Sequence, residues 1–99
     1  LSHNLKPQGA FIIDAGAVKA LKKGGSLLPV GVKSIDGTFE RGDAIAIKTE
    51  DGQIIARGLS AYNSADAAMI IGKKSTEIEE ILGYSGRPAL VHRDDMVLN

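Results

Sequence analysis

Ninety-nine residues are enough for one domain and too few for two, and a 43% hydrophobic content can build its core without covalent staples. The complete lack of cysteine excludes disulfides and thiolate metal sites together and fits a reducing compartment, so a cytoplasmic location is expected. Twelve basic side chains balance twelve acidic ones, which excludes the strongly basic character of a dedicated nucleic-acid binder.

The charge is unevenly spread. Residues 1–33 hold Lys6, Lys19, Lys22, Lys23 and Lys33 against Asp14 alone, a net +4, and the remainder carries −4. No apolar run approaches the roughly 20 residues of a membrane span and no signal-peptide pattern opens the chain, so no membrane partner is expected. The chain starts on Leu1 rather than Met and reads as a piece of something longer.

Residues 1–8 are polar, contain Pro7 and read as a linker leading into a domain over 9–99. Ala10-Phe11-Ile12-Ile13 is a short apolar run of strand type. Asp14 sits at the N-cap position of a helix predicted over Ala15–Lys23, with Ala17, Val18 and Leu21 on one face. Lys19, Lys22 and Lys23 share another face near the negative end of the helix dipole, and Gly24 is placed to end the helix. These lysines are either dipole-matched solvated charge or an anion-facing group.

Gly24-Gly25-Ser26-Leu27-Leu28-Pro29-Val30-Gly31-Val32 follows, a crossing steered by three glycines and one proline. It can present bare backbone N–H groups to an anion, or simply turn the corner of a small barrel. Leu27–Val32 reads as leading into a strand, with Gly31 marking a bulge or a close backbone approach.

Asp36-Gly37 turns the chain, and Phe39 within the loop Phe39–Asp43 is expected to plug a barrel end. A strand over Ala44–Lys48 places Ile45 and Ile47 on one face, and Asp51-Gly52 is a strong hairpin signal before a returning strand from Gln53 to about Ala61. Ser64 is the expected cap of a short helix through Ile70 that Gly72 stops; Ser75 or Thr76 starts a third helix ending at Gly83, and Thr76 as its cap would complete a capping box with Glu79. Strand Ala89–His92, the polar corner Arg93-Asp94-Asp95 and a last apolar piece, Met96-Val97-Leu98, complete the chain. The expected fold is mainly β with short helices, a pseudo-barrel of five to six strands.

No catalytic site emerges from the residues. His92-Arg93-Asp94 through Asn99 matches the protein-kinase catalytic-loop pattern, yet the phosphate-covering glycine loop and the downstream metal-binding Asp are missing. Lys73-Lys74-Ser75 lacks the upstream glycine of a P-loop, where Ala67 stands instead. His3 and His92 are too few to hold a metal. Phe11 and Phe39 read as core, Tyr62 and Tyr84 as packing residues able to support base stacking.

Taken in order, Ile13-Asp14-Ala15-Gly16-Ala17-Val18-Lys19-Ala20-Leu21, Ser26-Leu27-Leu28-Pro29-Val30-Gly31-Val32, Phe39-Glu40-Arg41-Gly42-Asp43, Ala56-Arg57-Gly58-Leu59, Ile71-Gly72 and His92-Arg93-Asp94-Asp95 resemble a PUA domain. The narrower resemblance, over about residues 9–98, is to the C-terminal PUA domain of the bacterial glutamate 5-kinases. It implies a non-catalytic appended domain, without a cofactor of its own, that tunes activity, regulation or assembly. Its partner would be the kinase domain of the same chain, which uses ATP and Mg to convert L-glutamate to glutamyl 5-phosphate at the start of proline biosynthesis. The resemblance also implies an alternative, an RNA-binding module. By position, RNA would lie against Lys23, Gly24, Gly25, Ser26, Leu27, Gly31 and Val32, with Lys19 and Lys22 beside them and His92 and Arg93 on the final segment.

Overall fold

Two apolar strands at the middle of the sheet organise the structure. In the computed structural model, which describes residues 6–99, β1 (Gly9–Ile13) pairs in parallel with β3 (Ala44–Thr49), so that Phe11 lies beside Ile47. A parallel pair needs a crossover. Here the crossover contains α1 (Ala15–Lys22), the glycine crossing and β2 (Val32–Gly37), and β2 returns antiparallel along the other side of β1. The Asp51-Gly52 turn then sends β4 (Ile54–Leu59) back along β3, and β5 (Met96–Leu98) closes the sheet in the order β2-β1-β3-β4-β5. Five strands with three short helices match the expected fold class.

Period-two alternation turns Phe11, Ile13, Ile45 and Ile47 inward, all essentially inaccessible to solvent. Phe39, expected as a plug, is buried with its ring edge-on to Phe11 at a centroid distance of 5.5 Å. Leu21 brings α1 to this core, and Ala67 and Ile70 bring α2 (Ser64–Ile70). Ile78 does the same for α3 (Ile78–Leu82).

Local details depart from expectation where a side chain finds a better partner. Asn63, not Ser64, caps α2 by accepting from the Asp66 amide at 2.8 Å; Ser64 Oγ instead accepts from the Phe39 amide at 3.2 Å and ties the plug loop to the helix. The turn before α3 is held by Glu77, which accepts from the Lys74 amide, rather than by a Thr76–Glu79 box. Leu27–Val32 is not a strand up to its last residue. Pro29–Gly31 forms a 3-10 turn, closed by the Gly31 amide donating to Leu28, and β2 starts at Val32. Proline lacks an N–H for a ladder and suits the first position of such a turn.

Ala89–His92 is likewise no full strand. Ala89, Leu90 and Val91 are buried, and a single bridge from Val91 to Leu27 is the segment's only ladder contact among the described residues. The Leu90 carbonyl also accepts from the Ala61 amide at 2.8 Å. The proposed linker falls partly outside the described residues, as does His3; within them, the Gln8 amide already donates to Ala44 at 2.8 Å. Among the described residues no helix is long and apolar enough to cross a membrane.

Candidate functional site

The crossing is assembled from both ends of the chain. Asp14 Oδ1 accepts from the Ala17 amide and starts α1, while the Asp14 amide donates to the Gly31 carbonyl at 3.0 Å. The cap therefore holds the crossing as well as the helix. At the other end of α1, Gly24 adopts φ 90°, a left-handed conformation that costs glycine nothing, and Gly24 and Gly25 donate to Leu21 and Ala20. Gly31 meets a different requirement. A Cβ there would lie 2.7 Å from the Ala17 Cβ, so only glycine lets the 3-10 turn rest on α1.

From Ser26 onward the crossing contacts the rest of the fold. Ser26 Oγ accepts from the Arg93 amide at 2.9 Å, and Leu27 exchanges backbone hydrogen bonds with Leu90 and Val91. The Pro29 carbonyl accepts from Gly72 at 2.7 Å, which docks the end of α2 on the turn. Pro29 is buried, whereas its neighbours Leu28 and Val30 are 42% and 54% exposed. Between α1 and the turn is a notch of about 300 Å³, lined by Ala17, Ala20, Leu28, Val30 and Gly31, with Asp14 and Ser26 as its polar groups. The notch is mainly apolar, and its one ionisable side chain is a carboxylate already bonded to a backbone amide.

The structure thus brings Gly24, Gly25, Ser26, Leu27, Gly31 and Val32 into one crossing and sets the start of the His92–Arg93 segment against it. His92 Nδ1 accepts from the Asp94 amide and caps the 3-10 turn Arg93–Asp95. The lysines do not stay together. Lys23 is the exposed C-cap of α1, but Lys19 and Lys22 line a separate groove between α1 and the β3–β4 hairpin, opposite Glu50 and Asp51. Leu28 and Val30 escaped the sequence reading because an apolar run around a proline signals burial without saying which side chains turn outward. The hairpin's place beside α1 escaped it because nothing local sets residues 49–53 against that helix.

The tyrosines are engaged elsewhere. Tyr62 is buried and its hydroxyl donates to the Arg87 carbonyl. Tyr84 is 46% exposed and donates to the Asp66 carboxylate, which pushes its phenol pKa up to about 12.

Against this geometry, the PUA domain family matches residues 9–82 of the chain. The chain belongs to the PUA domain family. In sequence it is 59% identical over 98 residues to the glutamate 5-kinases of Brucella ovis and Brucella abortus, covering 99% of this chain and 26% of each of those enzymes. The chain therefore spans about a quarter of the length of these curated relatives. In structure it is similar to a PUA domain from Aeropyrum pernix K1 solved as a tartrate complex, with a TM-score of 0.62 and 26% identity. That likeness covers 86% of this chain and 41% of the other. It shares its fold with a chain of the archaeal box H/ACA sRNP Nop10–Cbf5 complex, at a TM-score of 0.58 and 21% identity over 88% of this chain and 26% of that one. Family and fold are those the sequence led us to expect.

Proposed function

We propose that this chain is the appended PUA domain of a glutamate 5-kinase and acts in cis on the kinase domain, tuning its activity, regulation or assembly in the cytoplasm. The observation that carries this reading is the 59% identity to such enzymes across 99% of the chain. The neutral balance of charge and the apolar notch agree with a protein-facing role. ATP, Mg and L-glutamate belong, in this reading, to the kinase domain of the parent enzyme, which forms glutamyl 5-phosphate. The test compares the intact enzyme with one lacking residues 9–99. The expected result is a several-fold change in at least one of turnover, metal dependence, inhibition by proline or the oligomer distribution. Identical behaviour in all four would sink the proposal.

A second reading, RNA binding at the crossing, draws on the Ser26–Arg93 contact, which sets a basic residue beside the glycines. It requires saturable binding of structured RNA with a log–log salt slope of about −0.7 to −0.9 per phosphate contacted. Lys23→Glu combined with Arg93→Glu, both exposed, must then abolish that binding while the domain stays folded. A titration at about 50 mM salt that shows no binding near the micromolar range removes this reading.

A further inference from the structure

The groove that receives Lys19 and Lys22 has a composition unlike the notch. It encloses about 530 Å³ between α1 and the tip of the β3–β4 hairpin. Ile13, Ala15 and Val18 form its apolar lining, two lysines stand on the helix side, and Glu50 and Asp51 stand on the hairpin side. Oppositely charged side chains that line one groove commonly close into ion pairs. These do not: the ion pair among the described residues is Arg87–Asp95, which lies elsewhere.

The hairpin wall is held in shape by its own bonds. Thr49 and Gln53 exchange backbone and side-chain hydrogen bonds, and the Thr49 hydroxyl donates to Asp51. That hydroxyl holds the Asp51 carboxyl below its ordinary range. Glu50 is exposed.

A simple anion in this groove meets two lysines but also two carboxylates, and a simple cation meets the same conflict reversed. A ligand carrying both charges complements both walls at once. We propose that the groove between α1 and the β3–β4 hairpin binds a small zwitterion of the free α-amino-acid class. Its carboxylate lies toward Lys19 and Lys22, its ammonium toward Glu50, and its aliphatic side chain on Ala15 and Val18. The volume leaves space for bridging waters, as suits an open, weakly binding site. The proposal stands on these two walls alone and does not depend on the parent-enzyme reading.

The test is a two-dimensional amide NMR titration of this chain with L-valine, alongside isobutyrate and isobutylamine, each of which carries one half of the charge pair. Valine is expected to give saturating shifts confined to residues 13–22 and 49–53, while the half-ligands give weaker, non-saturating ones. Lys22→Gln and Glu50→Gln alter exposed side chains and should leave the rest of the spectrum unchanged, each weakening valine binding by about two- to five-fold. Valine shifts that never saturate, that centre on the crossing, or that isobutyrate alone reproduces would overturn the proposal. So would equal binding by both variants.

Discussion

Phe11→Ala is expected to lower the stability of the domain by about 3–5 kcal/mol. The ring is fully buried on the central strand, edge-on to Phe39, with Ile35 on β2 and Ile47 on β3 as its lateral partners. Removing it takes away one half of an aromatic pair and leaves a void bounded by strands, which cannot collapse without breaking their ladders. Against a total stability of about 5–15 kcal/mol for a domain of ordinary size, the variant should stand near the edge of folding. Its thermal midpoint should fall by more than about 10 °C. Urea unfolding with an unchanged slope and a lowered midpoint would report this directly. A loss below about 1 kcal/mol would show that the ring pair is not the centre of the core.

Gly31→Val tests the crossing itself. The new Cβ would stand 2.7 Å from the Ala17 Cβ, so either the 3-10 turn or the helix must move. Overpacking of this kind costs about 1–3 kcal/mol. The movement also strains the Asp14 amide bond to Gly31 and, through the turn, the Gly72 bond to Pro29. The decisive control is Ala17→Gly in the same chain. That change alone costs up to about 1 kcal/mol as a glycine in the first turn of α1, but it removes the atom that clashes. The double variant should therefore be more stable than the sum of the two single effects allows, a coupling that a thermodynamic cycle measures. Strict additivity would mean that the two residues do not meet as described.

How much of this was legible in the sequence follows from the range of each interaction. The elements signalled by neighbours in the chain were readable: β1 from an apolar run, α1 from Asp14 and Gly24, and the hairpin from Asp51-Gly52. The caps of α2 and α3 were misplaced by one or two positions, because Asn63, Ser64 and Thr76 are all capable acceptors. Which of them serves depends on a partner 25 residues away, as when the Phe39 amide engages Ser64. The segment Ala89–His92 has the composition of a strand, yet its backbone finds ladder pairing only at Leu27. Strand propensity reports fit to a pleated, half-buried surface and not the presence of a neighbour to pair with.

The candidate site divides along the same line. By itself the sequence determined the glycine crossing, its capped helix and the family, since these rest on backbone restrictions and on an ordered set of short motifs. Only the tertiary structure decided which side chains face a common space. Leu28 and Val30 turn outward because Pro29 between them is the buried residue of a three-residue turn. Ser26 meets Arg93 across 67 positions of the chain because Leu27 bridges Val91. Lys19 and Lys22, read with Lys23 as one basic face, lie opposite an acidic hairpin instead. Helical spacing assigns a residue to a side of its helix; what that side faces is settled by how the sheet packs around it.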